Sequence, residues 1–182
     1  VRPASIARFE PRDRTLTPAE IGLMYRYMEK VGTTPQIRAA VKLLLLTMVR
    51  KSELTNATWN EINFIEALWT LPKERMKRRY PHLVFLSRQA MDILIALKTF
   101  AGGSDYILPS RYDSDAPMSS ATMNRVMALT YKAAQKEGQS LVKFGPHDLR
   151  RTASTLLHEA GYNTDWIEKS LAHEQKGVRA VY

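Results

Sequence analysis

One nine-residue run constrains the fold of this chain more than any other feature. Val41-Lys-Leu-Leu-Leu-Leu-Thr-Met-Val49 is the most apolar stretch in the sequence. It follows Pro35, a residue tolerated in the first turn of a helix, and it is apolar on nearly every side. The spacing predicts a helix from about Pro35 to Val49 lying at the centre of a core. Directly after it comes Arg50-Lys51-Ser52-Glu53-Leu54. A charge at the end of the most buried helix needs something to meet it. The carbonyls of its own helix end, the carboxylate of Glu53 and an external anion are all able to do so.

The rest of the chain arranges itself around that helix. Residues 1–15 mix Pro and Arg without periodicity and read as a linker. Thr17-Pro18-Ala19-Glu20 is a helix start, with Thr as N-cap, Pro at the first position and Glu at the third. That helix turns Ile21, Met24, Tyr25 and Met28 inward and ends at Gly32. From 58 to 87 the period changes. TWNEINF, ALWTLP and HLVFLS are short β-branched or aromatic segments separated by turns, which predicts a three-stranded antiparallel sheet. The loop between the second and third, KERMKRRYP, carries five basic residues against one acid. Such a tip is either a solvated turn or, in a basic protein, a loop that rides a phosphate backbone. Ser87 to Phe100 is an amphipathic helix with Met91, Leu94, Ile95 and Leu97 as its stripe, broken at Gly102-Gly103. A turn-rich loop, YILPSRYDSDAP, follows, and Ser119 or Ser120 caps a helix to about Gln135. Helices, a small sheet, then helices again make a mainly α domain with a β insert, an α+β fold.

The last stretch, GPHDLRRTASTLLHEAGYNTDWIEKSLAHEQKGVRAVY, holds the densest chemistry. Pro146 opens a helix whose apolar positions are Leu149, Ala153, Leu156 and Leu157. His147 and Arg150 are three apart and share a face near the helix N-terminus, where backbone N–H groups favour an anion. Alone, the pair equally fits a capped helix with a solvated basic face. His158 reads as structural, and Trp59, Trp69 and Trp166 read as core or interface aromatics.

Composition narrows the partners. The chain has 182 residues and a formal net charge of +9, an excess that favours a polyanion, nucleic acid before a membrane surface. No apolar run approaches the ~20 residues needed to span a bilayer. The N-terminus has no signal-peptide layout, and zero cysteines exclude disulfides, thiolate zinc sites and a cysteine nucleophile. These features fit a cytoplasmic protein.

HDLRRT, then LAH, then Tyr182 nine residues after His173, resembles the C-terminal signature of the tyrosine recombinases, the phage integrase family. RKSEL after an apolar helix resembles the family's first arginine motif, Gly-x-Arg-x-Ser-Glu-Leu, with Met48 in place of the Gly. Lys77, eight residues before Phe85, has the spacing of the family's hairpin lysine. The resemblance covers roughly residues 15–182 and implies the DNA breaking-and-rejoining catalytic-domain fold. It also implies a catalytic set of Arg50, Lys77, His147, Arg150, His173 and Tyr182. Arg50 and Arg150 would clamp the non-bridging phosphate oxygens, and Lys77 would protonate the leaving 5′ oxygen. His147 and His173 would assist, and Tyr182 would be the nucleophile. Lys73, Arg75, Arg78, Arg79 and Arg151 are candidate DNA-backbone contacts. No metal or cofactor is implied.

The expected activity is site-specific recombination of double-stranded DNA for a phage or mobile element, by a tetramer on DNA in the full-length protein. The isolated domain is expected to be a monomer in a bacterial or phage-encoded setting. On this reading residues 1–15 tether a missing N-terminal DNA-binding region, and 16–182 are a catalytic domain ending at its nucleophile. The alternatives are a DNA-binding module or inactive relative that does not cleave, and, more distantly, a tyrosine-type topoisomerase.

Overall fold

The computed structural model describes residues 14–76 and 80–172. Lys77, Arg78, Arg79, His173 and Tyr182 lie outside the described residues, as does all of the expected linker except Arg14 and Thr15.

The first helix, α1, spans Pro18–Lys30 and starts as its sequence dictates. Thr17 Oγ1 accepts from the Glu20 amide at 3.3 Å, and the Glu20 carboxylate accepts from the Thr17 amide at 3.0 Å, a reciprocal capping box. Met24 and Met28 are buried as expected, joined by Tyr27, while Ile21 and Tyr25 pack half-buried at the margin. The second helix, α2, spans Pro35–Thr47, and its Val41, Leu43 and Leu44 are wholly buried. It ends two residues before the expected Val49, because Met48 turns into the left-handed region (φ 55, ψ 18). A five-residue helix, α3, then covers Lys51–Thr55.

The sheet is three-stranded and antiparallel, with strands β1 (Ile62–Asn63), β2 (Leu68–Leu71) and β3 (His82–Phe85) in that order. The first strand is shorter than expected, since Trp59–Glu61 forms a 3-10 turn. Register pairs Trp69 with Val84 and Leu71 with His82, so these four share one face. That face meets the core, where Trp69 and Leu71 are wholly buried. Thr70, Leu83 and Phe85 line the opposite, exposed face.

Helix α4 (Arg88–Phe100) is capped by Ser87, whose hydroxyl accepts from the Ala90 amide at 3.2 Å. It buries Ala90, Leu94 and Leu97, but Ile95 faces outward and is 54% exposed, a correction to the expected stripe. The helix is rotated so that small Ala90 makes the close approach. Helix α5 (Ser120–Lys136) is capped by Ser119 and packs along α1. Helix α6 (Pro146–Glu159) packs against α2, and a short helix that periodicity did not signal, α7 (Thr164–Ser170), closes against α6.

Two cores result. The larger joins α1 to α5, the sheet and the start of α6, with Leu54 and Leu149 among its buried members. The smaller consists of Met48, Ala153, Ile167 and Leu171, flanked by Leu45 and Leu157.

Candidate phosphate site

Arg50 owes its position to the turn that ends α2. The Met48 amide bonds the Leu44 carbonyl at 3.1 Å, and the left-handed residue swings the chain outward before Arg50 caps α3. That conformation costs a side-chain-bearing residue about 1–2 kcal/mol, which is why glycine is favoured there. Replacing the expected Gly with Met therefore leaves the turn intact. Burial of the Met48 side chain in the smaller core offsets its strain.

Glu53 holds Arg50 twice. One carboxylate oxygen accepts from the Arg50 amide at 2.6 Å and the other from Nη1 at 2.6 Å. The carboxylate is nearly buried and the Arg50 side chain is 41% exposed, so the acid fixes the guanidinium while leaving a face of it toward solvent. The expected pairing with Glu53 exists, and it presents the arginine instead of concealing it.

Arg150 comes from a different element, α6. One turn into α6, it is only 5% exposed. Its Nη1 donates to the Met48 carbonyl and its Nη2 to the Leu171 carbonyl, two of its five N–H donors. Burial, and after it the Arg50 charge, pull its pKa down to about 10 against the opposing pull of Glu53 and Glu168. At pH 7 it remains a cation. Two arginines separated by 100 positions in sequence thus sit within each other's field, an arrangement that an anion between them relieves. Met48 links them physically: its carbonyl holds Arg150, and Arg50 lies two residues beyond it.

His147 is the second residue of α6, exposed at the helix N-terminus. Asp148 closes that end by accepting from the Gly145 amide at 2.8 Å. Among the other expected contacts, Lys73 is exposed in a 3-10 turn after β2, and Arg151 is half-buried on α6. Arg75 does not project from its loop. It pairs with Glu61, which also accepts from Trp69 Nε1 at 2.9 Å, and it donates to the Glu53 carbonyl at 3.2 Å. Its charge braces the loop against α3. Met76, buried beside it, anchors the chain just before Lys77.

A cleft of roughly 630 Å³ lies behind Glu53, between Asn56, Thr58, Arg75 and Tyr106. Glu53 and Glu61 are both in its wall, which suits an anion poorly. Neither Arg50 nor Arg150 lines it.

Sequence reasoning missed His82. It opens β3, is half-buried, and places Nε2 3.2 Å from the Ser170 carbonyl, within the fields of Glu53, Arg150 and Arg50. Its only sequence signal is a histidine on the inner side of a strand whose other inner residues are apolar.

A helical domain carrying a three-stranded sheet, with one arginine at the end of its central helix and another on a His-x-x-Arg helix, is the architecture of a recombinase catalytic domain. The chain belongs to the phage integrase family, which it matches over residues 14–182. It is 41% identical over 165 residues to Prophage integrase IntZ of Escherichia coli (strain K12), covering 90% of this chain and 39% of that protein. It is 37% identical over 160 residues to the integrase of Enterobacteria phage P4, covering 80% of this chain and 35% of the relative. The chain thus spans well under half the length of these curated relatives. Among solved structures, the Tn1549 transposon integrase in complex with a circular intermediate DNA superposes with a TM-score of 0.78 at 16% identity, over 93% of this chain and 61% of that one. A lambda integrase tetramer bound to a Holliday junction gives 0.69 at 22% identity, over 96% and 49%. Among the described residues no helix is long and apolar enough to cross a membrane.

Proposed function

We propose that this chain is the DNA breaking-and-rejoining domain of a site-specific recombinase that integrates or excises a phage or other mobile element. The observation that supports the reading is that Arg50 and Arg150 lie within each other's electrostatic field, Arg50 fixed by Glu53 and Arg150 by the Met48 and Leu171 carbonyls.

The chemistry follows from what such a site favours. A scissile phosphate seated between the two guanidinium groups has its non-bridging oxygens held as negative charge grows on them. The Tyr182 oxygen attacks phosphorus and loses its proton, with His147 or His173 as acceptor or hydrogen-bond partner. The bond from phosphorus to the 5′ oxygen breaks, and Lys77 supplies the proton that makes it a 5′-hydroxyl. In the second half a 5′-hydroxyl from another strand attacks the 3′-phosphotyrosine and the phenol leaves. One phosphodiester is exchanged for another, so the cycle needs no external energy source. Double-stranded DNA is the substrate, Lys73 and Arg151 with Arg78 and Arg79 are backbone contacts, and the working assembly is a tetramer. The net charge of +9 supports a polyanionic substrate.

A nicked duplex carrying the junction sequence of the encoding element tests this. The wild-type chain should yield a protease-sensitive covalent adduct, and Tyr182→Phe should yield none while binding DNA with unchanged affinity. An adduct from the Phe variant overturns the assignment of the nucleophile. DNA binding without any wild-type adduct overturns cleavage and leaves a binding module.

A further inference from the structure

The C-terminal end of α7 is held by side chains from two distant elements. Carbonyls in the last turn of a helix have no partner within it and must find one elsewhere. Here the Leu171 carbonyl accepts from Arg150 on α6, and the adjacent Ser170 carbonyl faces His82 Nε2 on β3 at 3.2 Å. Because a carbonyl only accepts, Nε2 carries a hydrogen, which makes His82 the Nε2–H tautomer when neutral. Two consecutive carbonyls gripped from two directions define the orientation of the chain, which a single bond does not.

Seven residues are too few for α7 to be stable alone, and among the described residues Ile167 and the following Leu171 anchor it in the smaller core. Its C-terminal end depends on these polar ties. The tie also links two parts of the site with separate origins. His82 begins the strand that follows the Lys77 loop, whereas Leu171 supplies an acceptor that aims Arg150. If Ser170 drifts, Leu171 drifts with it, and the guanidinium follows its acceptor.

We propose that His82 is a positioning residue for phosphoryl exchange. Its Nε2–H fixes the end of α7 against β3, so that the Leu171 carbonyl holds Arg150 in line with the phosphate. The inference rests on the recombination reading above. It acts through Arg150 and not through contact with DNA, so its signature is a loss of rate without a loss of binding. Two residues beyond Leu171 the chain reaches His173, so the same tie sets the point from which that segment departs.

The test compares wild type with His82→Met, which keeps length without a donor, and His82→Gln, whose amide nitrogen restores one. Adduct formation is followed in single turnover on the nicked duplex, and DNA affinity is measured alongside. The Met variant should react about ten- to a hundredfold more slowly, the scale of a small misplacement of a reacting group, with affinity changed less than about twofold. The Gln variant should recover most of the rate. Hydrogen exchange at the amides of 167–172 should quicken in the Met variant and return in the Gln variant. Equal rates for Met and wild type overturn the inference, as does a Gln variant no faster than Met. Failure of the wild type to form a Tyr182-dependent adduct is a different result: it overturns the recombination reading, and the positioning role with it.

Discussion

The two cores of the domain do different work. The larger one encloses Leu43, Leu44, Leu54 and Trp69 at 0% exposure and joins elements from both ends of the described chain. The smaller, among the described residues, contains four buried side chains and holds the short helix α7. Arg50 stands on the first, since α3 is anchored there through Leu54. Arg150 straddles the two, because α6 gives Leu149 to the larger core and Ala153 to the smaller. The contrast teaches that a rigid platform and an adjustable neighbour can be built side by side in one domain. Local openings draw on the less buried region first.

Four measurements separate the two cores. Trp69→Ala should have the largest effect, a loss of about 3–5 kcal/mol of unfolding free energy. Circular dichroism and hydrogen exchange at the helices of the larger core should report one shared transition. A loss confined to the sheet would mean the larger core is not one unit. Ile167→Ala should cost about 2 kcal/mol, at the low end for such a truncation, and exchange should rise in α7 far more than in α2. Uniform exchange across both helices would erase the distinction between the cores.

Met48→Gly sets two effects against each other. Relief of the left-handed strain returns about 1–2 kcal/mol, while loss of a buried methionine side chain removes about 1.5–3 kcal/mol. Chemical denaturation should therefore show a net loss of about 1 kcal/mol. A stabilised glycine variant would mean that packing in the smaller core contributes less than the turn costs.

The smallest effect concerns acidity. Burial holds the His82 pKa below its ordinary 6.5, the Ser170 carbonyl and Glu53 pull it upward, and Arg150 and Arg50 oppose protonation. The unfolded chain therefore binds a proton at His82 before the folded chain does. Its contribution to stability is complete above about pH 6.5 and declines as pH falls from there toward the folded value. Thermal unfolding of wild type between about pH 7 and about pH 5 should show a drop that His82→Gln lacks. Parallel curves for the two proteins would remove His82 from the acid response.

Legibility in the sequence followed the length and locality of each signal. The Thr17-Pro18-Glu20 cap, the apolar run of α2 and the alternation of β2 and β3 lie within short windows, and each produced the element it predicts. The two arginine motifs were readable for the same reason. Helices α3 and α7 were not, because five and seven residues complete too few turns to show a period. Ile95 misled because it follows Leu94 directly, and only the rotation of α4 onto Ala90 decides which of them faces inward. Met48 conceals its left-handed turn by lacking the glycine that ordinarily signals one. His82 and Ser170 are 88 residues apart, a pairing no local window contains. The pairing of Arg75 with Glu61 likewise emerges only when the loop folds back over α3.

The point where the chain enters the domain carries a mechanical consequence. The Leu16 amide donates to Thr152 Oγ1 at 2.8 Å, that hydroxyl donates to the Asp148 carbonyl at 2.7 Å, and Leu16 itself is almost wholly buried. Arg14 adds an ion pair to Glu20 just inside α1. The incoming polypeptide is thus riveted to α6 within a turn of Arg150, with no slack between rivet and guanidinium. Torque delivered through the preceding chain arrives at the arginine helix as leverage, so a pull on residue 14 is felt at the helix that carries Arg150.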